Sequence, residues 1–245
     1  MRDPSNGPSR RFEELAWIDS PLGEISLRRR HDPTVGVEVY EVKLDDAFLM
    51  SSLFTAAEIE LASRGLALLP GDGLDVVVGG LGLGYTAATV LRDPRVRSLL
   101  VLDFLDDVIG WHQQRLLPCA EEVAGDQRCR LEQGDFFALT ADAAGYDRQQ
   151  PGRAVHAILV DIDHSPRDLL HPRHARFYTV DGLRELARHL RAGGVFGLWS
   201  NDPPDDEFTQ RLATVFAIAR AEVVEFDNPL QRRTSTNTIY LAQVA

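Results

Sequence analysis

Residues 74–84 read LDVVVGGLGLG, and this stretch decides the fold of the chain. Residues 74–78 are mostly apolar and β-branched, the pattern of a strand that is buried on both faces. Residues 85–91 (YTAATVL) are typical of a helix, and between strand and helix stand Gly79, Gly80, Gly82 and Gly84. A strand that turns through glycines into a helix N-terminus presents backbone N–H groups and lets a ligand lie against the main chain. The stretch therefore predicts a ligand-binding turn.

The spacing of the glycines narrows the class of ligand. A dinucleotide fingerprint needs Gly or Ala at position 85, which is Tyr85 here. A P-loop needs a lysine after its last glycine, and Lys43 is the only lysine of the chain. The remaining common owner of such a loop is the fold that binds S-adenosylmethionine. A tight turn in any α/β protein stays open as the alternative.

Asp103 strengthens the interpretation as a nucleoside site. It ends a second apolar stretch, residues 98–102 (SLLVL), about 20 residues beyond Gly84. At that position a carboxylate can bind both hydroxyls of a ribose. Loop, spacing and acid together favour a nucleoside cofactor over a purely structural turn.

Composition excludes several classes of function. The 245 residues are 44% hydrophobic and 26% charged, as expected for a globular protein with one α/β domain and a small accessory unit. No apolar run approaches the ~20 residues of a membrane span, and residues 1–11 read as a disordered tail without a secretory h-region. The two cysteines have no metal-ligand spacing, so we expect a cytoplasmic protein. A net charge of −11 argues against a nucleic-acid partner.

The hydrophobic patterns divide the chain into two parts. Residues 12–50 alternate apolar and polar side chains and predict a small antiparallel β unit. The capping-box pattern Thr55-Ala56-Ala57-Glu58 then opens a helix, and residues 51–245 alternate strands with helices. We predict strands at 74–78, 98–102, 128–132, 154–160 and 194–199, helices at 85–92, 106–116, 181–191 and 207–219, and a final pair of strands at 222–226 and 238–242. A terminal antiparallel pair on a parallel sheet is typical of an α/β fold of the methyltransferase-type Rossmann class.

Candidate functional residues follow the strands, because ligands of such sheets bind at the carboxyl ends of the strands. Asp135 with Phe136 can contact an adenine, or Asp135 can simply cap a helix. Asp161 and His164 follow the fourth strand, and the imidazole can act as a base or hold the loop. Asp163 and Ser165 are better explained as turn residues before Pro166. Residues 199–202 are expected to line an acceptor pocket.

Several stretches resemble the spermidine synthase family: the glycine loop, VLDFLDDVI (101–109), GDFF (134–137), VDIDHSP (160–166) and FYTVDGLRELARHLRAGGV (177–195). The resemblance spans about residues 15–243 and implies a small N-terminal β domain that helps to build a homodimer. It also implies a decarboxylated S-adenosylmethionine donor and a diamine acceptor. Carried over, Asp103 would bind the ribose, Asp135 the adenine, and Asp161 would face the transferred group.

The chain departs from that family at its acidic positions. Gly82 and His164 stand where the family has aspartates, and MSSLFTAAE (50–58) replaces a tyrosine–histidine–glutamate stretch. Because a protonated diamine needs carboxylates, we expect an S-adenosylmethionine-dependent methyltransferase that acts on a small molecule, with His164 as base and Asp161 as orienter. The alternatives are an aminopropyltransferase with a rebuilt acceptor site and a non-catalytic nucleoside-binding protein.

Overall fold

The structure is a computed structural model that describes residues 12–21, 23–45 and 47–245, so the predicted tail at 1–11 lies outside the described residues. Two compact units make up this part of the chain. One contains the described residues up to Phe54 together with the segment 228–233, and the other contains residues 55–227 and 234–245.

The first unit is built on a four-stranded antiparallel sheet, in the order β1 (Phe12–Ser20), β2 (Gly23–Asp32), β3 (Val37–Leu44) and β4 (Ala47–Ser51). Alternate residues of β2 and β3 are buried, among them Ile25, Leu27, Val39 and Val42. This burial explains the alternation in the sequence. The predicted antiparallel β unit is confirmed, with β4 as an additional short strand.

A seven-stranded sheet forms the second unit, with strands β5 (Leu74–Gly79), β6 (Val96–Asp103), β7 (Cys129–Gln133), β8 (Val155–Val160), β9 (Leu190–Ser200), β10 (Ile218–Asn228) and β11 (Arg233–Gln243). Their spatial order is β10-β11-β9-β8-β5-β6-β7. The strands β5 to β9 pair in parallel, and β11 runs antiparallel to β9. The predicted methyltransferase-type Rossmann fold is confirmed.

Seven α-helices cover the sheet: α1 (Ala56–Ala67), α2 (Tyr85–Arg92), α3 (Asp106–Gln113), α4 (Ala120–Gly125), α5 (Phe136–Ala141), α6 (Val180–Ala187) and α7 (Asp206–Val215). A 3₁₀ helix at Pro172–Arg176 interrupts the loop between β8 and α6. None of the helices in the described part of the chain is long and apolar enough to cross a membrane.

Side chains from the two faces of the central strands pack in different layers. On one face, the glycines Gly65 of α1 and Gly197 of β9 leave room for the Leu159 side chain of β8. On the other face, Ile158 and Phe196 join the buried residues of α6 and α7. Residues two apart on a strand share a face. This packing therefore determines toward which face of the sheet each residue at the carboxyl ends of β8 and β9 points.

Three helices end earlier than the sequence predicts, and one of them is α3, predicted at 106–116, which stops at Gln113. The predicted helix 207–219 stops at Val215, because Phe216 has an extended backbone (φ −106°, ψ 148°) and the chain enters β10 at Ile218. The predicted helix 181–191 stops at Ala187, since Leu190 already belongs to β9. Both α6 and α7 have apolar residues in the core, namely Leu183, Leu186, Phe208 and Leu212.

The amino end of β5 carries a buried charge cluster. Asp75 is 1% exposed and forms ion pairs with Arg97 (2.5 Å), Arg153 and Arg191 (3.4 Å). Ser98 Oγ also donates to its carboxylate at 2.8 Å. Burial alone would raise the pKa of Asp75, but the hydrogen bonds from Arg97, Ser98 and Arg153 outweigh it and lower the pKa to about 2. This cluster lies at the end of β5 opposite the glycine loop.

Candidate functional site

The glycine loop between β5 and α2 lies at the carboxyl edge of the sheet. The backbone N–H of Gly80 donates to the carbonyl oxygen of Leu102 at 2.9 Å. Gly80 has φ +92°, and a Cβ at this position would clash with the backbone carbonyl oxygen of Asp161. Gly84, at φ +91°, is the N-cap of α2. The turn therefore approaches the end of β8 too closely for any side chain at Gly80.

His112 of α3 supports the loop from within the protein. Its Nε2–H donates to the carbonyl oxygen of Gly82 at 2.9 Å, and burial lowers the pKa of the imidazole, so the ring is neutral. Its buried Nδ1 has no hydrogen-bond partner among the described residues. The sequence analysis does not predict this role of His112. The one indication in the sequence is a histidine within the apolar stripe of a helix.

Asp103 ties the same loop to the end of β6. Its Oδ2 accepts from the Leu81 N–H and its Oδ1 from the Leu105 N–H, both at 2.9 Å. Burial raises the pKa of Asp103, and the backbone hydrogen bonds oppose this rise. Each carboxylate oxygen keeps a further lone pair. The ribose contact therefore remains a prediction that is compatible with this geometry.

We expect the variant Asp103→Asn to bind S-adenosylhomocysteine about 1–3 kcal/mol more weakly, because the amide keeps one acceptor and loses a charge-assisted hydrogen bond. Calorimetry on the purified variant measures this change. Asp106→Asn, which alters an exposed acid in the first turn of α3, is the matched control. An affinity of Asp103→Asn equal to that of the control would contradict the ribose assignment.

Asp161 and Glu58 form a pair of half-buried acids next to the loop. Asp161 follows β8 and accepts a hydrogen bond from the Thr86 hydroxyl of α2 at 3.4 Å. Burial raises the pKa of Asp161 to about 6, against the effect of Thr86. Burial, and then the negative charge of Asp161, raise the pKa of Glu58 to about 8. Near neutral pH such a pair holds a proton that a bound cation can displace.

Glu58 is the functional candidate that the sequence does not reveal. The residues 55–58 predict a capping box, and α1 does begin after Thr55. The Thr55 side chain, however, makes no capping hydrogen bond. Glu58 lies one turn before the buried Leu61, on the same face of α1, and the negative charge of Asp161 contributes to its raised pKa. The one indication of this role in the sequence is the position of an acid on the apolar stripe of α1.

The loops after β8 and β9 are joined through His164. Its carbonyl oxygen accepts from the Asn201 N–H at 2.7 Å. The half-buried imidazole makes no hydrogen bond within the described residues. The backbone of His164, not its ring, therefore holds the loop, and the role of the imidazole as a base remains a prediction.

Trp199 is the second-last residue of β9 and lies on the face of the sheet that packs against α1. It lies two residues after Gly197, which packs against Leu61 and Leu159. Its buried Nε1–H has no acceptor in the part of the chain that the structure describes. Residues 201–202 continue into an exposed loop, in which the Asp202 N–H donates to Oγ of the buried Ser200 at 3.2 Å. The acceptor pocket predicted at 199–202 remains a prediction.

Asp163 is not the simple turn residue that the sequence predicts. Its carboxylate is buried and accepts from the Leu170 N–H, His174 Nδ1 and the Tyr178 hydroxyl, each at 2.8 Å. Burial and the charge of Asp163 raise the pKa of Tyr178 well above its usual value, so the phenol stays a donor. Ser165 does form the predicted turn, since its Oγ accepts from the N–H groups of Arg167 and Asp168.

Asp135 and Phe136, the two residues that the sequence predicts to contact an adenine, have different surroundings in the structure. Asp135 Oδ1 caps α5 by accepting from the Ala138 N–H at 3.0 Å, and its adenine contact remains a prediction. Phe136 is 2% exposed, packs against Gly79 and stacks on Tyr146 with ring centroids 5.0 Å apart. The predicted cofactor contact of Phe136 is therefore corrected to a core role. The neighbouring Phe137 stacks instead on His174.

Phe104 is a further aromatic residue at the carboxyl edge of the sheet. It follows Asp103 and is 45% exposed. The carbonyl oxygen of Asp103 accepts from the Gly134 N–H at 2.9 Å, so Phe104 lies beside the turn between β7 and α5. An exposed aromatic ring beside a nucleoside site fits the stacking of a base.

Comparisons with known proteins bear on the ligand. No family model matches the chain. It is 26% identical over 184 residues to the polyamine aminopropyltransferase of Nitrosomonas europaea, an alignment that covers 72% of this chain and 53% of that protein. The chain thus spans about half the length of this curated relative. The predicted resemblance to the spermidine synthase family is confirmed.

Solved structures share the fold. The spermidine synthase from Thermotoga maritima gives a TM-score of 0.71 at 18% identity, covering 95% of this chain and 73% of that chain. A spermidine synthase in complex with the transition state analogue AdoDATO also gives 0.71 at 18% identity, with 95% and 74% covered. Human methyltransferase-like protein 13 in complex with SAH gives 0.56 at 20% identity, with 77% and 82% covered.

These findings correct the expected activity. The expectation that methyl transfer comes first is wrong, because the curated relative is an aminopropyltransferase and the spermidine synthases match the fold better than the methyltransferase-like protein does. The overturned expectation rested on the family's aspartates that Gly82 and His164 replace.

Proposed function

We propose that this protein is an aminopropyltransferase that uses decarboxylated S-adenosylmethionine and a small-molecule amine as acceptor. The similarity to a polyamine aminopropyltransferase supports the reaction type. The observation that carries the proposal is the pair of half-buried acids, Glu58 and Asp161, beside the glycine loop, where the backbone of Asp161 lies against Gly80. Such a pair attracts the terminal ammonium group of the decarboxylated donor and disfavours the α-carboxylate that only S-adenosylmethionine carries.

Electrostatics discriminate between the two possible donors. The decarboxylated donor ends in a primary ammonium, whereas S-adenosylmethionine carries an α-carboxylate beside its amine. One ionic contact at about 4 Å and an effective dielectric constant near 20 contributes roughly 4 kcal/mol before solvation costs. The same carboxyl pair repels an α-carboxylate. Glu58 thus compensates for the acids that are absent at Gly82 and His164.

The chain's own residues would act mainly by holding the reactants in line. When bound, the donor supplies a sulfonium-activated carbon, which the amine nitrogen attacks as the carbon–sulfur bond breaks and a thioether nucleoside leaves. The glycine loop and Asp103 would hold the nucleoside, and Glu58 with Asp161 would hold the ammonium. The acceptor amine must lose one proton, and His164 is the predicted base.

The acceptor is proposed to be a small cationic molecule, which the net charge of −11 supports. No nucleic-acid or membrane partner forms part of the proposal. A homodimer is proposed from the family resemblance alone, and a cytoplasmic location from the two cysteines without metal-ligand spacing.

Binding of the two donors tests the proposal directly. We expect calorimetry to show at least tenfold tighter binding of decarboxylated S-adenosylmethionine than of S-adenosylmethionine, since even a fraction of the ionic contact corresponds to this ratio. Incubation with a panel of primary amines should then release 5′-methylthioadenosine, detected by mass. Tighter binding of S-adenosylmethionine would overturn the donor assignment. Donor binding without product for any amine would favour a non-catalytic nucleoside-binding protein.

A further inference from the structure

The imidazole of His174 is held in a defined orientation. Its Nδ1 lies 2.8 Å from Oδ1 of the buried Asp163, a carboxylate that also accepts from Leu170 and Tyr178. Because a carboxylate can only accept, Nδ1 carries the hydrogen, and in the neutral ring Nε2 is an acceptor. The ring also stacks on Phe137 with centroids 3.9 Å apart and an interplanar angle of 22°.

The free side of this imidazole faces away from the core. The Asp163 side chain is completely buried, whereas the His174 side chain is 18% exposed. Nε2 makes no hydrogen bond within the described residues and is not among their fully buried unpartnered atoms, so this unused acceptor is accessible. A histidine with both its tautomer and its plane fixed, and one lone pair left over, is suited to reading a ligand by a hydrogen bond.

The position of His174 indicates which part of a ligand it meets. Phe137 lies in the first turn of α5, next to the capping Asp135. This turn adjoins Phe104 through the hydrogen bond between Gly134 and Asp103. Two aromatic surfaces therefore lie at one part of the carboxyl edge, where a planar base can stack. The acids Glu58 and Asp161 lie instead at the ends of α1 and β8.

We propose that His174 is a specificity-determining residue that accepts a hydrogen bond from the 6-amino group of the bound purine, with Asp163 as its positioning residue. The proposal rests on the nucleoside donor of the proposed function. A 6-amino group has two hydrogens, and the second is available to Asp135. A 6-oxo purine would place an acceptor against these two acceptors, so the pocket rejects it.

Binding of two product-like nucleosides tests this role without turnover. The probes are 5′-methylthioadenosine and its 6-oxo analogue 5′-methylthioinosine, measured by calorimetry. In the unaltered protein we expect the 6-amino nucleoside to bind at least tenfold more tightly. His174→Phe keeps a ring on Phe137 but removes the acceptor, and it should lower this preference by about tenfold. His174→Gln, which restores an acceptor, should recover part of it.

The controls separate reading of the base from folding. Asp163→Asn keeps an acceptor for Tyr178 but can present an N–H to His174, so we expect a reduced preference for the amino nucleoside. His171→Asn lies on the same loop, where His171 caps the 3₁₀ helix, and it should leave the preference unchanged. A His174→Phe protein that melts normally and keeps the full preference would overturn the proposal. Full discrimination by the unaltered protein without any amine transfer would refute only the proposed function.

Discussion

The double variant Glu58→Gln/Asp161→Asn should bind decarboxylated S-adenosylmethionine at least ~100-fold more weakly than the unaltered protein. Both substitutions keep the shape of the side chain and remove the charge that would face the ammonium. The loss should be larger than for any exposed ion pair, because the two acids are half-buried and the attraction is less screened than at the surface. Calorimetry with the decarboxylated donor measures the effect, and S-adenosylhomocysteine reports whether the nucleoside site is intact.

The pKa values of the pair predict opposite trends for binding and stability. Burial raises the pKa of Asp161 to about 6 and that of Glu58 to about 8, so the folded protein binds more protons than the unfolded chain above about pH 4. The stability of the free protein should therefore fall as the pH rises toward 8. Affinity for a cationic donor should rise over pH 6–8, with release of protons. Calorimetry in buffers with different ionisation enthalpies detects that release.

At pH 8 the double variant should consequently be more stable than the unaltered protein, by about 1 kcal/mol or more, since one pKa unit corresponds to about 1.4 kcal/mol. Glu60→Gln on the same helix is the matched control, because Glu60 pairs with Arg64 at the surface. It should change neither donor affinity nor the pH dependence. Unchanged binding of the decarboxylated donor by the double variant would refute the ammonium site.

Gly80→Ala should lower nucleoside affinity by at least ~100-fold through backbone displacement, because a contact with fixed backbone cannot relax by a side-chain movement. The new Cβ would clash with the carbonyl oxygen of Asp161, and Gly80 has φ +92°. Relief of the clash must separate the glycine loop from the end of β8. S-adenosylhomocysteine binding, measured below the melting temperature of the variant, gives the loss.

Gly152→Ala provides a closely matched control for this experiment. Gly152 has φ +76°, a similarly positive angle, but a Cβ there meets no atom within 4 Å. Both variants carry the cost of a left-handed alanine, and only Gly80→Ala carries the clash. Equal nucleoside affinities of the two variants would show that the close approach of the loop to Asp161 is unimportant for binding.

The parts of the site that the sequence predicts are those encoded locally. The strand, the glycines and α2 occupy adjacent residues, and Asp103 follows at a distance that is characteristic of the fold. The position of Glu58 depends instead on the packing of α1 against β8 and β9, about a hundred residues later in the chain. Its local pattern is that of a capping box, and a short pattern does not show which side chain turns inward.

The same limit explains Asp163 and Phe136. Asp163 precedes a Ser-Pro pair, which favours a turn, and its partners His174 and Tyr178 lie 11 and 15 residues further on. Phe136 and Phe137 are identical side chains in the sequence. Only the packing of the first turn of α5 against Gly79 determines that the Phe136 ring is the buried one. Helix 207–219 is overpredicted because its apolar stripe continues into β10.

The ion cluster around Asp75 has a practical consequence for handling the protein. The pKa of Asp75 is lowered to about 2 from 3.8, so its contribution to stability is complete above about pH 4 and is lost only as the pH falls through 2. The acids at the opposite end of the sheet weaken the fold as the pH rises toward 8. The free protein should thus be most stable in mildly acidic buffer, kept above the isoelectric point near 5.1 so that it retains its negative net charge, whereas donor complexes should be prepared for crystallisation in mildly alkaline buffer.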